Sequence, residues 1–456
     1  MLIRHFVCSS FFSMVHLRIN LLSKGLLCQL ANQMTQRHWF QARTLLIPAE
    51  NNGETQTIND VILKFSKLVK KQVAYEPEKN EREHLLQILP KKQSELPSRR
   101  MLDSYDSAIV PLASDIYLRE RYRTYHNTVR VGRLLEDLDV FAVWLCYKHV
   151  KNPKQRPEDP SPYSIVTALV DQINFGKDLK PDFDIRLRGH VTWVGTSSLE
   201  ASLEVDQQLE SGEWHTVTNG TFVLVARDPL NKGSAIINPL IIETEKEKEC
   251  YLRGEENKKR RLLMERESLI KLPPSEDERQ LIHKVFLKTI DPAAVSFKSR
   301  LLPPNTVWME NAKLKNMFIC HPQNRNMYNK IFGGFLMRVA CELAWANAYV
   351  FSKCMPRMLH IDDILFRKPV EVGSLLYLAS QVAYVYGNRM VVRVSAEVVN
   401  AESGKHDLTN NFYFILEVDR EVPKVMPKSY EEAMIFLDGR RHLAEPEGTA
   451  EITSKL

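Results

Sequence analysis

The chain turns apolar at Ser104 and stays so to Val225, and a second apolar region runs from about Asn305 to Val418. Each region opens on an extended segment and then a long run that is apolar on most faces. The runs are Gly132 to about Val150 and Gly333 to about Phe351. Such a run predicts a helix buried on nearly every side. Period-two alternation follows in both. Leu199, Ala201, Leu203 and Val205 alternate with Glu and Ser, Val392, Val394, Ala396 and Val398 repeat the pattern, and Phe412 to Val418 supplies a closing strand. No helical run separates the strands, which excludes a doubly wound sheet. One helix buried against a curved antiparallel sheet, an α+β architecture, is predicted twice.

The two regions are copies of each other. Val170-Asp171-Gln172-Ile173-Asn174-Phe175 matches Ile361-Asp362-Asp363-Ile364-Leu365-Phe366 at an offset of 191 residues. The same offset brings Val191-Thr192-Trp193-Val194 onto Val382-Ala383-Tyr384-Val385 and Thr218-Asn219 onto Thr409-Asn410. One offset held over about 50 residues marks a duplication.

The flanking segments read differently. Thr57, Ile58, Val61, Ile62, Phe65, Leu68 and Val69 have helical spacing within 57–76, and a polar stretch follows to about Arg100. Residues 243–271 hold nine Lys/Arg and eight Asp/Glu, the composition of a solvated helical connector. Ser275 with Glu278 three residues on forms a capping box for a further helix. The expected organisation is a leader (1–43), a helical or linker segment (44–100), a first domain (101–228), a charged connector (229–300), a second domain (301–420) and a tail (421–456).

Composition narrows the function classes. With 44% apolar and 26% charged residues the chain can bury real cores. No window of about 18 residues is uniformly apolar and uncharged, so no membrane span is expected. Seven cysteines without a CxxC pair point to a reducing compartment and away from a thiolate metal site. The net charge of +6 lies mostly in the first 43 residues, which hold Arg4, Arg18, Lys24, Arg37 and Arg43 and no acid. The remaining body is nearly neutral, which argues against nucleic acid as a partner. A basic, acid-free leader rich in Ser, Leu and Gln has the composition of a mitochondrial transit peptide, and an unstructured N-terminus is its plainer alternative.

The sharpest local feature is Asn326-Met327-Tyr328-Asn329-Lys330-Ile331-Phe332-Gly333-Gly334, at the start of the second long helix. Two glycines allow close approach, and first-turn amides without helical partners can stabilise an oxyanion. Asn326 and Asn329 can orient a water. Asp139 and Glu342 fall on otherwise apolar helix faces, where a carboxylate is costly unless paired or used. Either could be the general base, with Asp139 preferred, and His126 and His321 are further candidates. Asp171 and Asp362 recur in both copies and read as caps at the start of a strand.

Asn326 seven residues before Gly333-Gly334, the long helix, and then Asp363-Ile364-x-Phe366-x-x-Pro369-Val370-x-x-Gly373 together resemble the acyl-coenzyme A thioesterases of the hotdog fold. The duplication, leader and connector make the chain similar to their mitochondrial double-hotdog group, over roughly residues 100 to 420. The resemblance implies two tandem hotdog domains, hydrolysis of acyl-coenzyme A to fatty acid and coenzyme A, a matrix location and a homo-oligomer of hotdog pairs. No cofactor or metal is implied, since coenzyme A is part of the substrate. It also implies that Asn326 and the amides of Gly333 and Gly334 work with an acidic or amide residue of the other copy. Asn329, its match Asn127, His126 and His321 are then the expected substrate-binding residues. The first copy departs from the pattern, with Val131-Gly132 for the glycine pair and Thr124 for Asn326. No GxSxG elbow, phosphate loop or Gly-Asp-x-Asn-Pro-x-His hydratase run occurs. A hydratase on the same fold and a non-catalytic binding module remain the alternative readings.

Overall fold

A computed structural model describes residues 56–69, 82–176, 178–294, 296–326 and 328–447. The expected leader, 1–43, lies outside them. The first copy runs β1 (Asp106–Val110), α2 (Val131–His149), β2 (Ser164–Phe175), β3 (Ile185–Val194), β4 (Ser198–Gln208) and β5 (Trp214–Arg227). The second runs β6 (Lys313–Ile319), α5 (Gly333–Ser352), β7 (Arg357–Phe366), β8 (Leu375–Tyr386), β9 (Arg389–Val399) and β10 (His406–Glu417). Before the first copy stands α1 (Ile58–Leu68). Between the copies lie α3 (Glu245–Glu267) and α4 (Glu276–Leu287), and α6 (Tyr430–Glu447) ends the described chain.

The strands form one ten-stranded sheet in the order β1-β3-β4-β5-β2-β7-β10-β9-β8-β6. Its two halves join where β2 pairs antiparallel with β7, Ile173 opposite Ile361 and Val170 opposite Ile364. Each half wraps one long helix, as the alternation predicts. Leu134, Leu135, Leu138, Phe141, Ala142 and Leu145 of α2 are buried, as are Leu336, Met337, Ala340, Ala344 and Ala348 of α5. These are two hotdog units fused edge to edge.

The helices α2 and α5 touch at glycine. A Cβ on Gly334 would lie 2.8 Å from Cα of Glu136, and one on Gly132 would lie 3.0 Å from Cγ of Arg338. Gly132 and Gly334 are equivalent in the two copies, and so are Glu136 and Arg338, both pairs 202 residues apart. The crossing therefore sits on the molecule's pseudo-twofold axis, and position 136 faces its own counterpart. The counterparts carry opposite charges, with Arg338 Nε 2.8 Å from Glu136 Oε1. That complementarity favours joining copy one to copy two over joining like to like.

The duplication extends further than the sequence offset indicated. Helix α3, expected as a solvated connector, lies on the outer face of the sheet. A Cβ on Gly254 would fall 2.5 Å from Trp193 Cβ, and Trp193 Nε1 donates to Glu255 at 2.6 Å. Arg260 and Arg261 pair with buried Asp171 at 2.7 and 3.1 Å, and Arg261 also pairs with buried Glu200 at 3.2 Å. The acids of the outer sheet face require these cations, which is why a charge-rich helix docks instead of standing in solvent. In the segment expected as a tail, α6 does the same for the second half. Gly439 packs on Ala383 and Tyr384, and His442 Nδ1 lies 2.8 Å from buried Asp362 Oδ2. Trp193 and Tyr384, like Asp171 and Asp362, are repeat mates. Asp171 and Asp362 thus sit within strands and anchor outer helices; they do not cap strand starts. Two short parallel pairs, Arg99–Arg100 with Leu240–Ile241 and Thr306–Trp308 with Lys424–Met426, repeat as well.

Because a methyl at Gly132 meets Arg338 backbone and Cγ, Gly132→Ala is expected to lower unfolding stability by about 1–3 kcal/mol. Denaturant titration checks this, and an unchanged midpoint would show that the helices separate without strain.

Candidate active site

Asp139 is fully buried on α2, on the turn that faces the N-terminus of α5. Its carboxylate is held from two sides. Thr167 Oγ1 of β2 donates to Oδ1 at 2.6 Å, and the Gly334 amide of α5 donates to Oδ2 at 2.6 Å. A Cβ on Gly333 would also crowd this carboxylate, lying 3.1 Å from Asp139 Oδ2. Burial pushes the Asp139 carboxyl up to about 6, against the lowering effect of the two hydrogen bonds. A carboxylate near neutrality, at a helix N-terminus and beside a first-turn amide, can take a proton from a water and work next to a stabilised oxyanion.

Asn326 lies on a loop folded back on the start of α5. The Phe332 amide donates to Asn324 O at 2.9 Å, and the Asn326 amide donates to Lys330 O at 2.6 Å. Asn326 Oδ1 accepts from the amides of Tyr328 and Lys330 at 2.8 and 3.1 Å. The oxygen is therefore committed to the turn, and the Nδ2 hydrogens are the part of the side chain suited to orient a water or a carbonyl. Asp139 and the Asn326 turn belong to opposite copies, and both are fastened to the start of α5.

The other expected residues fall elsewhere. Glu342 is not buried: it is exposed on α5 and pairs with Arg130 and, at 3.6 Å, with Arg338. The apolar neighbours in sequence lie on adjacent faces of the helix. Gly334 was expected as an oxyanion donor, but its amide is engaged by Asp139, which leaves Gly333 as the glycine amide for that role. Asn329 and Asn127 share a left-handed backbone, φ 56° and 61°. Their match across the copies therefore reflects a turn that Asn tolerates. His126 is exposed and lies tilted against Tyr125 with ring centres 3.6 Å apart, and His321 precedes a short 3-10 turn on the surface. Neither hydrogen-bonds to Asp139. Among the described residues no cluster of three or more His, Cys, Asp or Glu could hold a metal, and no helix is long and apolar enough to cross a membrane.

Sequence reasoning missed Thr167. Its signal was a lone hydroxyl in the apolar run Ile165-Val166-Thr167-Ala168-Leu169-Val170. It found the first copy's departures at Thr124 and Val131 but missed that the mirror-image position also lacks the carboxylate and the hydroxyl. Thr124 replaces Asn326, Val131 replaces Gly333, Cys341 replaces Asp139 and Met358 replaces Thr167. Cys341 and Met358 are buried. The double repeat carries this constellation once, assembled from both copies.

Two fused hotdog units with a buried carboxylate of one copy held at the helix N-terminus of the other define a double-hotdog protein with a hydrolase-like site. No family model matches the chain. It is 51% identical to human "Acyl-coenzyme A thioesterase 9, mitochondrial" over 371 residues, 81% of this chain and 84% of that protein. It is 49% identical to mouse "Acyl-coenzyme A thioesterase 10, mitochondrial" across 79% of this chain and 82% of that one. The hop protein "Acyl-coenzyme A thioesterase 4, mitochondrial" (Humulus lupulus) is 36% identical over 76% of this chain and 68% of its own. The chain belongs to this family of acyl-coenzyme A thioesterases.

The raised Asp139 group has a consequence for folding. It holds its proton more tightly in the folded chain, so its contribution to stability is greatest below about pH 4. That contribution is lost as pH rises through about 6, a difference of at most about 3 kcal/mol. Asp139→Asn removes the charge; its Oδ1 can still accept from the Gly334 amide while its Nδ2 donates to the Thr167 hydroxyl, which turns to accept. It is expected to unfold at higher denaturant than the parent at pH 8, with the gap narrowing at pH 5. A variant less stable than the parent at pH 8 would contradict the raised group.

Proposed function

We propose that this chain hydrolyses acyl-coenzyme A to a free fatty acid and coenzyme A. The observation that carries this reading is Asp139, buried and held between Thr167 of one strand and the Gly334 amide of the opposite copy. Asp139 takes a proton from a water oriented by Asn326, and the water oxygen bonds to the thioester carbonyl carbon. The developing oxyanion meets the Gly333 amide and the positive end of α5. The carbon–sulfur bond then breaks, the thiolate takes the proton, and the acid is released. No covalent enzyme intermediate, metal or cofactor enters these steps.

The names of the relatives support a mitochondrial enzyme, and the acid-free leader fits import to the matrix. Hotdog pairs assembling into a homo-oligomer fits the same family.

Thiol release from a panel of acyl-coenzyme A chain lengths tests the reading. The parent is expected to turn over, and Asp139→Ala and Asn326→Ala are each expected to lose about 100-fold in kcat. Binding of acyl-coenzyme A without hydrolysis at any chain length would leave a binding module and overturn the enzyme.

A further inference from the structure

Helix α1 and Arg82, ahead of the first copy, lie outside the repeated elements and pack against Tyr147 and Ser161 of that copy. We propose that Tyr328 is a positioning residue for Asn326, locked in place by this N-terminal segment through Arg82 and Phe65. The inference rests on the thioesterase reading above.

Tyr328 sits two residues after Asn326 and donates its amide to Asn326 Oδ1 at 2.8 Å. Its phenol crosses to the other copy and donates to Tyr163 O at 3.0 Å, just ahead of β2. Tyr147 of α2 donates to that same carbonyl at 3.0 Å, and its oxygen accepts the Ile165 amide at 3.2 Å. The two phenol oxygens lie 3.5 Å apart. Ile165 is two residues from Thr167, the hydroxyl that holds Asp139. Tyr147 is two helical turns beyond Asp139, on the same face of α2. The Asn326 turn and the Asp139 carboxylate are therefore both suspended between the start of α5 and the first half of β2. Tyr328 is the turn's link to the strand.

What backs this link comes from outside the repeats. The Arg82 guanidinium lies 5.5 Å from the centre of the Tyr328 ring. Its Nη2 donates to Ser161 O, and its Nη1 donates to Val69 O at 3.5 Å. Phe65 of α1 packs on Tyr147 with ring centres 5.4 Å apart. Burial raises the phenols of Tyr328 and Tyr147 above their ordinary values, so both remain donors. At the opposite end of the double repeat the equivalents of Tyr328 and Tyr147 are His126 and Tyr349. There Tyr349 is 40% exposed and the neighbouring Tyr125 is 72% exposed. The non-repeated segment thus secures the end that carries Asn326, Asp139 and Thr167 and leaves the dismantled end open.

The test uses the full chain with Tyr328→Phe, Arg82→Ala and, as a control at the open end, Tyr349→Phe. We expect kcat to fall about tenfold in the first two with KM within twofold and melting temperature within a few degrees. Tyr349→Phe is expected to match the parent. Parent-like kcat in Tyr328→Phe overturns the inference while leaving the thioesterase intact. So does an equal fall in Tyr349→Phe, or a fall that only follows lost folded protein. A parent without hydrolysis overturns the functional reading, and the inference with it.

Discussion

The contact between α2 and α5 at Gly132 and Gly334 is the constraint on which the rest depends. Only glycine lets the two helices approach until a Cβ would collide with the partner backbone. That approach carries the Gly334 amide to Asp139, which belongs to the other copy. Any larger residue at the crossing would push the α5 terminus away from the carboxylate. The ion pair of Glu136 with Arg338 sits on the same axis and gives the crossing a direction, since the facing positions are no longer alike. Packing, electrostatics and chemistry therefore share one locus.

A duplicated chain is free to spend its two halves differently, and this one has. One end keeps a carboxylate, a hydroxyl, a glycine pair and an Asn on facing elements. The other holds Cys341, Met358, Val131 and Thr124 in the corresponding places, so neither Asp139 nor Thr167 has a counterpart there. The outer helices diverged in the same manner. Asp171 is held by two arginines, and its mate Asp362 is held by His442, with His360 3.6 Å away.

Much of this was legible in the sequence. The duplication, the two buried helices and the alternating strands follow from apolar periodicity, and burial of a carboxylate at Asp139 follows from its apolar neighbours. Glu342 shows the limit of that logic. Its neighbours in sequence are equally apolar, yet 100° of helical rotation per residue moves it to solvent and to Arg130. Asn127 and Asn329 matched across the copies because their turn needs a left-handed residue, a backbone demand that looks like a functional one. Helix α3 reads as solvated because its charges are numerous. Its docking depends on Asp171 and Glu200 of distant strands, which no local pattern connects to it. Thr167 showed only as a lone hydroxyl in an apolar run, and its partner was hidden for the same reason: only the fold brings it to Asp139.

The central claim is that one carboxylate, raised toward neutrality by burial between the two copies, is the base for hydrolysis. The pH dependence of kcat/KM for acyl-coenzyme A measures it most directly. The account predicts a fall below an ionisation near pH 6 in the parent, and no such inflection in the residual rate of Asp139→Asn. A parent profile that stays level down to pH 5, or the same inflection surviving in Asp139→Asn, would contradict it.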